Sequence, residues 1–344
     1  MVLAESRPSV SYGVYKPALV LTNETIESWR VEVSSGQFLT AQSILQKTGI
    51  ERRFHAAEDE TVVDMALKVA EDVLAENQVD LILVSTSFPI GVNVATEVLR
   101  KLHLTGGRLD IYAACSGFVR GLVFLKQNED TFRGRRVFFL ASEKYSDKLV
   151  DLREEEAIKR DPSLSQTIFS DGAAGLSFIL GVNFNILAAE SRMIDKVTNL
   201  IRMPINWQLV REPFINEPVD RSHDGKFRQE GPAVYRQVLE RIPQALGEFM
   251  AKYGIDPNEV GYIVPHQGSG RMVRALAERL TPSFKAGQVV EDFKDGNFSS
   301  ASIPKALVKL IQEDRLDPGK ITLLLGFGAG RGLLGSIAAC RIGG

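Results

Sequence analysis

One cysteine stands where a nucleophile would be placed. The stretch Leu109-Asp-Ile-Tyr-Ala-Ala-Cys115-Ser-Gly-Phe-Val-Arg-Gly-Leu122 is an apolar, strand-like run that ends in two alanines and Cys115, after which Ser-Gly opens a helical pattern. Cys115 therefore lies at a strand-to-helix junction, where backbone N–H groups lack partners and the helix dipole is positive. A thiol there is expected to ionise more easily than a free one, and the thiolate is the nucleophile of covalent catalysis. The other reading of a lone cysteine is a small core residue. Two further segments carry polar residues beside apolar runs. In Val264-Pro-His266-Gln-Gly-Ser-Gly-Arg271 a histidine follows the run VGYIV, and Asp295-Gly-Asn297-Phe-Ser-Ser-Ala-Ser-Ile-Pro304 is a small-residue loop leading into a helix. Singly, His266 also reads as a core or surface histidine, and Asn297 as a turn residue. Jointly they say more, because Cys115 and His266 occupy equivalent junctions of two similar segments, and functional groups in α/β sheets gather at the carboxyl ends of strands.

The elements that must position these residues alternate. Helical spacing runs over Thr61 to Asn77, Val94 to Leu104 and Gly117 to Gln127. Near-continuous apolar runs predict buried strands at Val79 to Thr86, Leu109 to Ala114, Arg136 to Ser142, Ala173 to Leu180 and Phe184 to Ala189. The second half repeats the rhythm. It has helices at Pro232 to Tyr253, Arg271 to Leu280 and Ala301 to Glu313, and strands at Val260 to Pro265, Ile321 to Leu325 and Leu333 to Cys340. Pro304 falls in a first helical turn, where proline is tolerated. The echo suggests an internal duplication, with halves 1–180 and 181–344 and a boundary near 181–230, a region rich in turn-formers and charge. The charged stretch Asp147 to Gln166 is expected to be a surface excursion or lid.

Composition narrows the classes. The 344 residues are 44% hydrophobic and 24% charged, with formal net charge -2. That balance gives no reason to expect nucleic acid or an anionic membrane surface as a partner. Cys115 and Cys340 make no disulfide framework and fit a reducing, cytoplasmic compartment. No apolar run reaches membrane-spanning length, no signal-peptide pattern opens the chain, and the four histidines show no metal-ligand spacing with the cysteines.

With these motifs the chain resembles the ketoacyl-ACP synthase III family, condensing enzymes of the thiolase-like superfamily. Ala-Cys115-Ser-Gly-Phe, Pro-His266-Gln and Gly-Asn297-Phe-Ser-Ser-Ala-Ser-Ile-Pro match the family's catalytic triad in order and context. Lys47-Thr-Gly-Ile-Glu-Arg-Arg53, Phe169-Ser-Asp-Gly-Ala-Ala-Gly175 and Gly326-Phe-Gly-Ala-Gly330 support it, and the likeness runs from about Ser11 to Ile342. The resemblance implies an α/β thiolase-like fold, two duplicated mixed-sheet halves in α-β-α-β-α layers. It implies acylation of Cys115 by an acyl thioester, with the oxyanion held by the Cys115 N–H and a backbone N–H of Gly328-Ala329. A malonyl group on acyl carrier protein would then lose CO2 between the donors His266 and Asn297 and attack the acyl group. Acyl-CoA or acyl-ACP and malonyl-ACP are the implied substrates, with no tightly bound cofactor and a homodimer as the assembly. Arg271 and Arg236 match positions associated with carrier docking, and Arg274 lies one helical turn from Arg271. For all three a solvated helix face is the alternative.

The chain departs from the family at several positions, three of which touch the coenzyme A tunnel. Ser43 stands where relatives have a stacking tryptophan, and Lys47, the candidate cofactor contact, where arginine is common. His266-Gln-Gly-Ser269 replaces His-Gln-Ala-Asn, and Gly231-Pro232 replaces a Gly-Asn helix start. Arg331-Gly332 occupies the last loop, and Phe88 to Val94 is short. Weaker adenine stacking implies a starter other than acetyl-CoA. Competing readings are an acyltransferase to an oxygen or nitrogen nucleophile, a silent partner subunit, and a thiolase or hydroxymethylglutaryl-CoA synthase. The thiolase would use Cys340, and the synthase an acid such as Glu97. Cys340 sits inside a strand-like run, and Glu97 on a helix face.

Overall fold

The computed structural model describes residues 10–74, 78–87, 91–195, 201–202, 226–285, 287–330 and 332–343. Five strands, β1 (Ser11–Tyr15), β2 (Leu81–Ser85), β3 (Gly107–Ile111), β4 (Arg136–Glu143) and β5 (Gly172–Ile179), form one mixed sheet in the order β1-β5-β4-β2-β3. Four more, β6 (Phe184–Asp195), β7 (Val260–Pro265), β8 (Ile321–Gly330) and β9 (Gly332–Ile342), form a second in the order β6-β9-β8-β7. From the first-named edge, pairing in both sheets runs antiparallel, antiparallel, then parallel.

The helices that matter for the site are α1 (Ala41–Thr48), α2 (Val62–Leu74), α3 (Val94–Lys101), α4 (Gly117–Gln127), α5 (Gly231–Tyr253), α6 (Gly270–Leu280) and α7 (Ser302–Gln312). Strand residues alternate faces, and that alternation divides the core into layers. Ile82, Val84, Phe138 and Leu140 face outward onto α2 and α3. Their neighbours Leu81, Leu83, Val137 and Phe139 face inward onto α4 and α7. In the second sheet Leu324, Ala338 and Cys340 join the same middle cluster, whereas Leu323, Leu325, Ile337 and Ala339 pack on α5 and α6. The result is the expected α-β-α-β-α sandwich, in which α4 and α7 are enclosed between two sheets.

Local chemistry sets the element ends. Gly49, at φ 69, closes α1 in the left-handed conformation that glycine adopts without strain. Pro243 interrupts the ladder inside α5, and the Leu239 carbonyl four residues earlier accepts instead from Arg279 Nη1 at 3.5 Å. Asp147 to Gln166 differs from its expectation as a surface excursion. Val150, Leu152 and Ala157 are buried against Ile44 of α1, and Asp161 is buried with its carboxylate on the Ser165 N–H at 2.6 Å. Spaced apolar residues anchor a stretch whose average composition is polar. Most of the expected boundary at 181–230, and Phe88 and Arg331, lie outside the described residues. Among the described residues no helix is long and apolar enough to cross a membrane, and no cluster of His, Cys, Asp and Glu could hold a metal.

Candidate active site

The carboxyl ends of β3, β7 and β8 and the loop before α7 converge on one cavity of about 410 Å³. Cys115, His266, Asn297 and Gly328 all line it. Cys115 sits in a 3₁₀ turn, Ala114–Ser116, directly before α4. Ala114 is held at φ 45, and Ser299, across from the thiol, at φ 49. Both are left-handed non-glycine residues, a conformation that persists where the surroundings over-determine it. At Gly328 a Cβ would lie 3.0 Å from the Cys115 nitrogen and 3.1 Å from that of Ser116, so a larger residue would press on the nucleophile's backbone. Ala329 follows it in β8, paired with Leu333.

His266 is fixed by its backbone and its neighbours. Its N–H donates to the Leu325 carbonyl at 2.8 Å, extending the β7–β8 pairing by one residue. Gln267 donates to Pro265 and Val290 carbonyls at 2.7 and 3.1 Å and accepts from the Asp292 N–H at 2.8 Å. The imidazole meets Phe327 edge to face at 5.4 Å.

Asn297 is tied to the Phe169-Ser-Asp-Gly motif through both backbone groups. Its N–H donates to the Ile168 carbonyl at 2.8 Å and its carbonyl accepts from the Ser170 N–H at 2.9 Å, while Ser170 Oγ donates to the Asp295 carbonyl at 2.6 Å. The side-chain Oδ1 accepts from the Ser299 N–H at 2.8 Å. That bond fixes the amide orientation, with the oxygen turned to the loop and the NH2 donor to the cavity.

The electrostatics differ from the sequence expectation. At Cys115 the net shift is upward, where the sequence led to an acidified thiol. Burial pushes it up from 9.0 to about 12, against a hydrogen bond with Ser299 at 3.4 Å, and the Glu143 charge adds to the rise. The resting thiol therefore carries its proton. Burial pushes His266 down to about 3, opposed by a hydrogen bond with the Ser299 backbone, so the imidazole is neutral.

The other expected site residues divide. Lys47 is exposed and Arg271 is exposed with its guanidinium 5.0 Å over the Tyr235 ring, and both line the cavity mouth. Arg236 is exposed on α5. Arg274 turns to Glu291 at 3.4 Å and lies over Phe293, a solvent-facing pair of little energetic weight. Ser43 completes the capping box of α1 with Thr40. Cys340 is fully buried in β9, as its strand-like context predicts, and Glu97 pairs with Arg100 on α3.

Sequence reading passed over Glu143, Ser87 and Tyr145. Glu143 ends β4 with 0% exposure. Its carboxylate accepts from the Ser87 N–H and Oγ–H, both at 2.9 Å, and from the Ser300 N–H at 3.1 Å and Oγ–H. Its one visible signal is a carboxylate directly after the apolar run RVFFLAS. Tyr145 stacks on Phe169 at 4.4 Å and forms part of the cavity wall.

Burial raises the Glu143 carboxyl from 4.5 to about 7, opposed by the bonds from Ser300 and Ser87. Between those values the folded protein holds a proton that the unfolded chain releases. The stability contributed is therefore complete below about pH 4.5 and lost as pH rises through about 7. His266 has the opposite sign, losing stability as pH falls from 6.5 toward about 3. The Glu143 contribution is isolated by comparison with Glu143→Gln. Urea denaturation is expected to show the wild-type advantage shrinking by up to about 3 kcal/mol from acid to neutral pH. A pH-independent difference would contradict the assignment.

The family described as 3-Oxoacyl-[acyl-carrier-protein (ACP)] synthase III C terminal matches residues 250–339. The Beta-ketoacyl-[acyl-carrier-protein] synthase III of Oceanobacillus iheyensis is 30% identical over 330 residues, covering 92% of this chain and 94% of that one. The crystal structure of 3-oxoacyl-[acyl-carrier-protein] synthase III from Aquifex aeolicus VF5 superposes with TM-score 0.76 at 27% identity, over 96% of this chain and 98% of that one. The synthase III from Thermus thermophilus superposes at 0.79 with 24% identity, over 99% and 100%, a likeness of fold.

Proposed function

The chain belongs to the beta-ketoacyl-[acyl-carrier-protein] synthase III family, and from that premise we propose how its residues carry out a decarboxylative condensation with malonyl-ACP, the initiating step of fatty acid synthesis. Cys115 Sγ attacks the carbonyl carbon of an acyl thioester entering the cavity. The tetrahedral oxyanion is held by the Cys115 N–H and a backbone N–H of Gly328-Ala329, donors that need no reorganisation as charge develops. The thioester C–S bond breaks and the acyl group stays on sulfur. A malonyl thioester then places its carbonyl between His266 and the Asn297 amide. CO2 leaves, the enolate oxygen is held by both donors, and its carbon attacks the acyl group to release a β-ketoacyl thioester. The apolar lining, with Leu164, Ile168, Phe169, Phe227 and Phe327 among its members, keeps water from the carbanion.

The observation that carries this reading is the orientation of Asn297. With Oδ1 on the Ser299 N–H, the end of the amide left for substrate is a donor. An enolate needs a donor there. Acyl carrier protein is the partner this reading assigns, with Arg271 and Arg236 for docking and Lys47 toward the phosphate-bearing part of the substrate arm. A second copy of the chain is the expected partner in assembly, and the cytoplasm the compartment.

The starter follows from Ser43. Its hydroxyl caps α1, and no aromatic ring is offered at that position for adenine. Acetyl-CoA is therefore expected to acylate Cys115 more slowly than acyl groups delivered on the carrier. Following the mass of the Cys115 peptide across panels of acyl-CoA and acyl-carrier thioesters measures this, and rapid acetylation by acetyl-CoA would overturn it. Condensation itself is tested by CO2 release from malonyl-ACP together with a β-ketoacyl product. Acyl transfer without CO2 would sink the reading.

A further inference from the structure

We propose that Glu143 accepts the Cys115 proton during acylation, through a relay of Ser299 and Ser87. The proposal rests on Cys115 being the acylated residue. Cys115 Sγ lies 3.4 Å from Ser299 Oγ, Ser299 Oγ lies 2.9 Å from Ser87 Oγ, and Ser87 Oγ donates to Glu143 Oε1 at 2.9 Å. Every link is a hydroxyl or thiol that donates one proton and accepts another. Tyr145 Oη bridges the middle of the chain, 3.1 Å from Ser87 Oγ and 3.2 Å from Ser299 Oγ. The left-handed Ser299 backbone and the Asn297 Oδ1 bond to its N–H hold the first hydroxyl toward sulfur.

The chemistry needs such an acceptor. The thiol, pushed up to about 12, arrives protonated, while His266, pushed down to about 3, is a poor base. Glu143, at about 7, is ionised around neutrality and is the stronger base of the two. Among the described residues the titratable groups facing Glu143 are Cys115 and Tyr145, and neither can supply a positive charge. Thiolate and carboxylate disfavour one another across the relay, so the pair holds one negative charge that moves from carboxylate to sulfur as the proton moves back.

The cycle balances. As Sγ bonds to the acyl carbon, the thiol proton goes to Ser299 Oγ, that of Ser299 to Ser87 Oγ, and that of Ser87 to the Glu143 carboxylate. The departing thiolate of the acyl donor takes a proton from solvent at the cavity mouth. Glu143 then stays neutral while CO2 leaves and the enolate forms, keeping a second negative charge out of the enclosure. When the carbanion displaces Cys115, the electron pair returns to sulfur and the proton returns from Glu143 by the same path.

The experiment separates two half-reactions on the full chain. One is single-turnover acylation of Cys115 by an acyl-carrier thioester, read by intact mass from acid to alkaline pH. The other is decarboxylation of malonyl-ACP without an acyl donor. Wild type is expected to acylate faster as pH rises through about 7. Glu143→Gln is expected to acylate about 100-fold more slowly and to lose that inflection, with decarboxylation little changed. Ser87→Ala, which keeps the carboxyl but breaks the path, carries the same expectation if Glu143→Gln does not fold. Wild-type acylation rate and pH profile in these variants would overturn the relay, as would equal loss of both half-reactions at unchanged melting temperature. Absence of any adduct on the wild-type protein would instead overturn the acyl-enzyme reading beneath it.

Discussion

Asn297→Asp is expected to lower malonyl-ACP decarboxylation by about 10³-fold, while Cys115 acylation stays within a few-fold of wild type. The substitution is nearly isosteric and keeps an oxygen for the Ser299 N–H, which Asn297 Oδ1 meets at 2.8 Å. It changes the other end of the side chain. An NH2 donor aimed at a developing enolate becomes a carboxylate oxygen of the same sign as the enolate, inside a cavity lined mainly by apolar groups. Loss of one such donor alone costs about 10²- to 10³-fold, and the added repulsion puts the expectation at the upper end. Acylation does not use the amide, so the adduct on Cys115 should still form. CO2 release and adduct mass, measured on the same preparation, give the split. A variant that decarboxylates within tenfold of wild type would remove Asn297 from the enolate site.

The second large effect is on stability. Arg53→Ala is expected to destabilise the fold by about 3–5 kcal/mol. Arg53 has 0% exposure, and burial pulls its guanidinium down from 12.5 to about 9. Its Nε donates to the Thr167 carbonyl at 2.7 Å, Nη2 reaches the same carbonyl, and Nη1 donates to Asn23 Oδ1. Alanine leaves both buried acceptors without these donors and opens a void the size of a long side chain. Thr167 and Ile168 line the cavity, and Ile168 accepts from the Asn297 N–H, so the loss reaches the site as well. Urea denaturation at fixed pH measures it, and a loss below about 1 kcal/mol would show that Arg53 does not anchor the wall.

That Cys115, His266 and Asn297 would meet at one cavity was legible in the sequence for a topological reason. Cys115 follows β3, His266 follows β7, and Asn297 precedes α7, and each stands beside an apolar segment that marks the element. The charge state of Cys115 was not legible. A helix terminus favours an anion by up to about 2 kcal/mol, whereas the rise from 9.0 to about 12 corresponds to about 4 kcal/mol. The larger effect depends on enclosure by residues distant in the chain. Glu143 and Arg53 were hidden for the same reason. Burial of a charged side chain depends on tertiary packing, and nothing in Glu51-Arg52-Arg53 marks its last member as the buried one. Asp147 to Gln166 misled through its average composition, because Val150, Leu152 and Ala157 suffice to dock it.

The enclosure of α4 and α7 between the sheets bears on how long such an enzyme works. Cys115 precedes one of these helices and Asn297 the other, and their apolar residues join both sheets in a single cluster. Neither helix can loosen without parting the sheets, so the catalytic arrangement has no private, early melting. Its working lifetime at a given temperature is set by the rate at which the whole sandwich opens. Substitutions on the outer helices α2, α3, α5 and α6 that slow this opening therefore prolong activity without touching a substrate.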